Sequence, residues 1–327
     1  MVTALDEFSI IQQYFSDAKS RTTQVGVILG IGDDAAIIRP AEGEELLFTT
    51  DTLIKGVHFP EETAPDAIGH KALAVNLSDI AAMAGQARWF TLALSLPEPD
   101  STWLKAFSDG LLTLAKQFGV SLVGGDTTRG PLSITLSVIG TIPEKMAIRR
   151  STARPGDAVF VTGQPGMAAL GLAAINNEII LSDIEQSKCR NKLDYPQPRL
   201  LEGQFLRNYA SSMIDTSDGL AADLGHILQA SGCSAVIDSE RLKNCLPAAA
   251  DLPGKSTIEA ALHGGDDYEL LFTIPASRVL KLEQSWRHSF PSLTHIGEIT
   301  TGQGILLRDS NGDFMKVAAR GYNHFNA

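Results

Sequence analysis

Aspartates set in glycine-rich or apolar stretches are the residues of this sequence that could do chemistry. They occur in GIGDDAA, TTDTLIKGVHF, AVNLSDIAAMAG, LVGGDTTRG, MIDTSDGL and HGGDDYELLF, as Asp33, Asp34, Asp51, Asp79, Asp126, Asp215, Asp218, Asp266 and Asp267. A single Asp beside Gly is most often a turn or helix-cap residue. As a set they favour polyvalent cations as partners, because unpaired buried carboxylates are costly and few basic residues lie near these motifs.

Oxygen ligands without His or Cys are typical of Mg²⁺, which is usually held by one or two carboxylates together with substrate phosphates. Asp79 is the sharpest case, because the apolar periodicity predicts a helix over about residues 66–84 with Asp79 on its interior face. Asn76 lies one turn earlier on the same side, as either a second oxygen donor or a local cap. Glycines beside the aspartates would let backbone N–H groups approach phosphate oxygens. The pattern indicates magnesium with phosphates.

Helices and strands must position these aspartates, and hydrophobic periodicity predicts where they lie. Apolar residues on one helical face predict a helix over 101–118, with Ser101 as N-cap and Gly119 as stop. VSLVGGD predicts a short buried strand that ends in a glycine turn, and LSITLSVIG a half-buried strand. Later segments predict strands at AVFVT, SAVID and YELLFTI, a helix over 219–231 and another near 276–287.

Length, charge and cysteine usage bound the class of protein. The chain has 327 residues, 44% of them apolar, and the proline- and charge-rich segment 143–157 predicts a boundary between domains 1–146 and 147–327. A net charge of −11 argues against nucleic acid and anionic membranes as partners. Acidic residues near the N-terminus and the lack of a long apolar stretch predict a cytoplasmic protein. Cys189, Cys233 and Cys245 lack metal-ligand spacing and are expected to be buried free thiols.

The ordered motifs resemble those of thiamine-monophosphate kinases, in the superfamily of aminoimidazole ribonucleotide synthetase and selenophosphate synthetase. The motifs are GIGDD, TTDTLIKGVHF, KALAVNLSDIAAMA, GGDTTRGPLS, RPGDAVFVTG, IDTSDGLAADLGHI, GGDDYEL and GYNHF, which together span essentially the whole chain. The resemblance implies ATP-dependent transfer of the γ-phosphoryl group to thiamine monophosphate, with ATP as co-substrate, by a homodimer that uses several Mg²⁺ ions. The implied fold is α+β, with an N-terminal α/β domain that binds magnesium and ATP and whose sheet joins that of the dimer partner. A C-terminal α+β domain completes the nucleotide and substrate site.

Individual roles follow from the same resemblance. It implies that magnesium is ligated by Asp33, Asp51, Asp79, Asp126 and Asp215, with Thr50 and Asp218 assisting. It places ATP against Gly125, Asp126, Arg150 and Ser217, and the thiamine substrate against His58, Asp266 and Tyr322. The sequence departs from the family at Asp266, where Glu is usual, and at Asn323, where Asp is common. The carboxylate of Asp266 is one methylene shorter, so it needs a water to span the same distance as Glu.

Transfer between two phosphates demands charge neutralisation rather than proton transfer. Two doubly charged groups about 4 Å apart repel by roughly 16 kcal/mol at an effective dielectric constant near 20. The acceptor oxygen is already ionised near neutral pH, so no general base is needed, and direct in-line transfer is expected beside the metal-bound Asp33, Asp126 and Asp215.

Two alternatives stay open at this point. One is another ATP-dependent activity of the same superfamily, such as selenophosphate synthesis, which depends on a reactive Cys near the N-terminus, whereas the first Cys here is Cys189. The other is a non-catalytic module that binds divalent cations. ATP turnover with and without thiamine monophosphate separates them.

Overall fold

The computed structural model describes residues 6–16, 25–246 and 257–322, so Asn323 lies outside the described residues. The chain divides into two compact units, Met1–Ile80 with Gly85–Met146, and Ala81–Ala84 with Ala147–Ala327. Within the described ranges, no helix is long and apolar enough to cross a membrane.

The first unit is built around a four-stranded sheet of order β3-β6-β4-β5, in which only the β4–β5 pair is parallel. A two-stranded ribbon, β1 with β2, precedes it. In chain order the elements are α1 (Glu7–Ile10), a π-helical turn (Ile11–Phe15), β1 (Val27–Leu29), β2 (Ile37–Ile38), β3 (Glu44–Ile54), α2 (Pro65–Ala82), β4 (Gln86–Leu96), α3 (Ser101–Phe118), β5 (Ser121–Arg129) and β6 (Ser133–Pro143).

Two local predictions in this unit need correction. Helix α3 has the expected bounds and ends at Gly119, but its N-cap is Asp100, whose carboxylate accepts hydrogen bonds from the amides of Thr102 and Trp103. Asp100 caps it because the helix begins at Ser101 itself, which places the cap one residue earlier. The glycine turn expected after VSLV is wrong, because β5 runs through Gly125. A Cβ at Gly125 would lie 1.9 Å from the Leu92 carbonyl oxygen, so the glycine allows close strand approach instead.

The second unit holds a seven-stranded mixed sheet of order β13-β12-β9-β11-β7-β10-β8, in which only the β12–β9 pair is parallel. The α+β class is therefore confirmed, and Cys189, Cys233 and Cys245 are buried free thiols. The elements are a 3₁₀ turn (Arg150–Thr152), β7 (Asp157–Thr162), α4 (Met167–Ile175), α5 (Asp183–Asp194), α6 (Leu200–Leu206), β8 (Ser212–Asp215), α7 (Leu220–Ser231), β9 (Ser234–Asp238), α8 (Ser239–Lys243), α9 (Thr257–His263), β10 (Leu270–Pro275), a 3₁₀ turn (Ala276–Arg278), α10 (Val279–Ser285), β11 (Leu293–Thr300), β12 (Gly304–Arg308) and β13 (Phe314–Val317).

Strand β10 begins two residues later than the run YELLFTI predicts. Tyr268 has φ +49°, a left-handed backbone conformation that cannot continue a strand, so the ladder starts at Leu270. The last predicted helix is also shorter, because it divides into the 3₁₀ turn and α10. The strands at AVFVT and SAVID and the helix beginning near residue 219 are confirmed.

Candidate active site

The first unit brings together the carboxylates of Asp51 and Asp79. Asp51 lies on β3 in a cross-strand row with Leu136 and Leu92, which are buried, so it faces the covered side of the sheet. Asp79 on α2 accepts a hydrogen bond from Thr49 Oγ1 at 2.5 Å. Burial, and secondly the negative charge of Asp79, raise the pKa of Asp51 to about 6. The two residues therefore form a pair of like charges that a cation would relieve.

Asn76 lies one turn before Asp79 on α2 and holds an unpaired oxygen. Its side chain is 0% exposed, and its Nδ2 donates to the Ala72 carbonyl at 3.2 Å. Among the described residues its Oδ1 is buried without a hydrogen-bond partner. A buried polar atom left unpaired in this way is costly, and a bound cation would satisfy it. The local-cap interpretation holds for the nitrogen and leaves the oxygen available.

The donor set fits Mg²⁺ held partly by phosphate rather than a closed protein cage. Within residues 6–16, 25–246 and 257–322, no group of three or more His, Cys, Asp or Glu side chains could hold a metal ion alone. Magnesium usually keeps waters and takes one or two carboxylates plus substrate phosphates, which a pair such as Asp51 and Asp79 can supply.

Three other residues expected at the metal lie elsewhere in this unit. Thr50 points to the opposite face of β3 from Asp51, and its hydroxyl is 2.8 Å from that of Ser137. Asp126 shares a cross-strand row with Ala93, which also places it on the face opposite Asp51. Asp33 is exposed and accepts a hydrogen bond from the Asp34 amide at 2.9 Å. The sheet alternation thus separates Thr50 and Asp126 from the Asp51–Asp79 pair.

His58 lies in the turn after β3, and a buried lysine holds that turn. The Ile54 amide donates to His58 Nδ1 at 3.0 Å, and Lys71 Nζ donates to the His58 carbonyl at 3.1 Å. Lys71 is only 2% exposed. Lys71 was missed at the level of sequence, although a lysine inside the apolar helical run KALAV is a signal that could have found it.

The second unit gathers carboxylates at the end of β8 and the start of α7. Asp215 is buried at the end of β8, and Asp223 accepts hydrogen bonds from the amides of Asp218 (3.2 Å) and Gly219 (3.1 Å). Burial, then the charges of Asp215 and Asp218, raise the pKa of Asp223 to about 8. Asp223 was missed, although an Asp in the first turn of a predicted helix is a recognised cap signal.

Two further segments pack against the turn between β8 and α7, residues 215–219. The Asp266 amide donates to the Ser217 carbonyl at 2.9 Å, and the Tyr268 amide to the Thr216 carbonyl at 2.8 Å. Gly321 packs so closely that a Cβ there would lie 2.6 Å from the Asp218 carbonyl oxygen. The structure thus brings Ser217, Asp218 and Asp266 together. Gly321, which directly precedes Tyr322, lies beside Asp218.

Arg150 is not part of that group in the second unit. Its carbonyl accepts a hydrogen bond from Ser231 Oγ at 2.9 Å, at the C-terminal end of α7. The twelve residues of α7 span about 18 Å, and Ser217 lies just before the opposite end. The predicted ATP contact of Arg150 therefore stays a prediction without support from this arrangement.

A buried ion cluster lies directly after the Asp266 segment. Glu269 is 0% exposed and accepts hydrogen bonds from Lys192 Nζ (2.5 Å), Arg199 Nη2 (2.6 Å) and Thr162 Oγ1 (2.7 Å). Burial alone would raise its pKa, but the charges of Lys192 and then Arg199 outweigh it and lower the pKa to about 2. The cluster was missed at the level of sequence, because Glu269 lies 70 residues or more along the chain from Lys192 and Arg199.

Asp267 anchors the same segment from the other side. Its carboxylate accepts hydrogen bonds from the amides of Gly166 (2.5 Å) and Ala168 (3.2 Å) at the start of α4. Burial raises its pKa to about 7. The sequence pattern groups Asp267 with the aspartates that could bind metal or phosphate. Its observed contacts, however, are those of a helix cap.

Comparison with known families gives two matches along the chain. Residues 32–142 match the family described as AIR synthase related protein, N-terminal domain, and residues 154–309 its C-terminal domain. Thiamine-monophosphate kinase of Escherichia coli (strain K12) is 43% identical over 323 residues, covering 98% of this chain and 99% of that protein. The Bacillus subtilis (strain 168) enzyme of the same name is 36% identical, covering 98% of this chain and 100% of that protein.

Solved structures agree with these sequence matches. The thiamine-monophosphate kinase of Stenotrophomonas maltophilia K279a is 42% identical, with a TM-score of 0.84 over 95% of this chain and 98% of that one. A structure described as AaThiL complexed with AMPPCP and TMP is 32% identical, with a TM-score of 0.75 over 98% of this chain and 97% of that one. The hydrogenase maturation protein HypE of E. coli, at 20% identity and a TM-score of 0.76, shares the fold.

Proposed function

The chain belongs to the thiamine-monophosphate kinase family, and from this premise we propose that it transfers a phosphoryl group from ATP to thiamine monophosphate, giving thiamine diphosphate. It is a phosphotransferase whose acceptor is itself a phosphate group. The observation that carries this function is the 43% identity to the E. coli enzyme over nearly the full length of both chains. A relative complexed with AMPPCP, an ATP analogue, and TMP supports the same pair of substrates. We assign the reaction to the cytoplasm, where ATP is available.

We propose that carboxylates in each unit bind magnesium together with the substrate phosphates. Asp51 and Asp79 supply one pair, with the unpaired Oδ1 of Asn76 one helical turn before Asp79, and Asp215 and Asp218 supply another. Asp33, Thr50 and Asp126 stay proposed ligands on the resemblance alone. When bound, magnesium supplies positive charge that offsets the repulsion between donor and acceptor phosphates.

The remaining chemistry is positioning. We propose that Gly125, Asp126, Arg150 and Ser217 bind ATP, and that His58, Asp266 and Tyr322 bind thiamine monophosphate. Lys71 Nζ supports His58 by donating to the His58 carbonyl, and the Ser217 carbonyl supports Asp266 by accepting from the Asp266 amide. The acceptor oxygen is already ionised, so the transfer is direct and needs neither a base nor an enzyme nucleophile.

Incubation of the purified chain with ATP and thiamine monophosphate tests this function. We expect thiamine diphosphate to form with Mg²⁺ and no product in excess EDTA, because the carboxylates need cations to accept two phosphates. With ATP chiral at the γ-phosphorus, a single displacement inverts the configuration of the transferred phosphorus. Turnover in EDTA would exclude the metal role, and retention would indicate a phosphorylated enzyme. Phosphorylation of another acceptor in place of thiamine monophosphate would contradict the substrate assignment.

We propose that the protein is a homodimer joined through the uncovered face of the four-stranded sheet. Edge strand β3 presents Leu46, Phe48 and Ile54 on this face, and Phe48 is 68% exposed. Exposed apolar side chains on an uncovered sheet face favour a protein interface.

Replacing Phe48 by Asp is therefore expected to convert the dimer into monomers, because a charge at the centre of an apolar interface is left unpaired. Sedimentation velocity over a wide concentration range measures the change. Phe314→Asp is the matched control, because Phe314 is similarly exposed on strand β13 of the other unit. A wild-type protein that sediments as a monomer at every concentration would exclude the dimer.

A further inference from the structure

The segment 264–268 holds two non-glycine residues in left-handed backbone conformations. Asp266 has φ +68° and Tyr268 has φ +49°. An aromatic residue rarely adopts this conformation, because its Cβ clashes with the neighbouring backbone. Such strain persists only where the surrounding structure fixes it, and it is common at ligand sites. The contacts that fix this segment therefore bear on what Asp266 does.

Hydrogen bonds on both sides fix the segment. The amides of Asp266 and Tyr268 donate to the carbonyls of Ser217 and Thr216, and the Thr216 amide donates to the Glu269 carbonyl at 2.8 Å. Asp267, between them, binds the start of α4 through its carboxylate. The Asp267 side chain therefore lies in the core, whereas the side chains of Asp266 and Tyr268 contact each other.

The contact between the Asp266 and Tyr268 side chains is a direct hydrogen bond. Tyr268 Oη donates to Asp266 Oδ1 at 3.0 Å. Tyr268 is 8% exposed, so its ring is held by packing, whereas Asp266 is more accessible. A phenol fixed by packing restricts the carboxylate to one orientation at little cost in entropy.

We propose that Tyr268 is a positioning residue that orients the Asp266 carboxylate toward the thiamine moiety of the acceptor. The inference rests on the proposed function, because it takes Asp266 as a substrate contact. Asp266 is one methylene shorter than the Glu usual in the family, so its reach depends more strongly on a fixed orientation. Tyr268 itself contacts neither phosphate nor metal in this role. Its loss should therefore weaken acceptor binding and leave phosphoryl transfer intact.

Tyr268→Phe removes only the hydroxyl group and is expected to raise the KM for thiamine monophosphate about tenfold. The kcat and the KM for ATP should stay within about twofold of wild type, because uniform binding of the acceptor is lost. A structural role would not produce this split between KM and kcat. Tyr209→Phe is the matched control, because Tyr209 lies in the same unit, stacks on Phe205 and precedes β8, whereas Asp215 ends that strand. We expect it to leave every kinetic parameter unchanged.

A double-mutant cycle with Asp266→Asn tests whether Tyr268 acts through Asp266. If it does, Tyr268→Phe adds little to the KM increase already caused by Asp266→Asn. The proposal would be overturned if Tyr268→Phe had equal effects on KM in both backgrounds, or left KM unchanged. It would also be overturned by a loss confined to kcat, or by a Tyr268→Phe protein that does not fold. Failure of the proposed function would be recognised separately, because wild type would then not phosphorylate thiamine monophosphate at all.

Discussion

Replacing Asp79 by Asn is expected to lower kcat at least about a hundredfold while leaving the metal-free protein no less stable than wild type. An amide is a poor ligand for Mg²⁺, so the charge that offsets phosphate repulsion is lost. The amide oxygen of the substituted side chain can still accept the hydrogen bond from Thr49. Removing one of two like charges also relieves the repulsion that helps raise the pKa of Asp51 to about 6. Activity and stability are therefore expected to change in opposite directions.

Steady-state kinetics at saturating substrates and thermal unfolding with and without Mg²⁺ measure the two effects. Wild type should gain thermal stability from Mg²⁺ with ATP, and Asp79→Asn should gain less, because a ligand stabilises only the state it binds. Asp109→Asn is the control in the same unit, since Asp109 is exposed and pairs only with Lys105 on its own helix among the contacts described. Near-normal turnover of Asp79→Asn would give Asp79 a purely structural role.

The Asp51–Asp79 pair could be anticipated only in part, because the sequence predicted the helix that carries Asp79 but not strand β3, which carries Asp51. The apolar run predicted α2, and the observed bounds Pro65–Ala82 lie within two residues of the prediction. The predicted interior face is wrong, because the helix is buried on all sides and Asp79 is one of the two residues between 67 and 82 that are only partly buried. Alternation predicted β6, the strand that pairs with β3, whereas β3 and β4 were not predicted. Alternation alone does not tell which of Thr49, Thr50 and Asp51 lie on the sheet face that α2 covers. The register of β3 with β6 determines this.

Long-range polar contacts could not be predicted in this way. Glu269, Lys192 and Arg199 are of residue types that usually lie in solvent, and only the tertiary fold brings them together. The same holds for Arg150, whose distance from Ser217 depends on how α7 packs. The left-handed conformation of Tyr268 has no sequence signal either, because the residue type itself argues against it.

The buried ion cluster around Glu269 is the basis of a second prediction, which concerns the stability of the second unit. Replacing Glu269 by Gln is expected to lower the unfolding free energy of the second unit by about 3 kcal/mol and its thermal midpoint by roughly 6–12 °C. Gln keeps the shape of the side chain but leaves Lys192 and Arg199, which are largely buried, without a negative partner. Since Glu269 directly follows Tyr268, the loss should also loosen the Asp266 segment. Differential scanning calorimetry of the two proteins measures the change.

The pH dependence of that difference identifies Glu269 as its source. The pKa of Glu269 is lowered from an ordinary value of 4.5 to about 2, so its stabilising contribution is present above pH 4.5 and is lost as the pH falls toward 2. The stability difference between wild type and Glu269→Gln should accordingly be constant from pH 7 to about 5 and shrink below. Glu240→Gln is the matched control, because Glu240 forms an exposed pair with Lys243 and should change stability by less than about 1 kcal/mol. A Glu269→Gln protein as stable as wild type at pH 7 would mean that the fold satisfies both cations without this carboxylate.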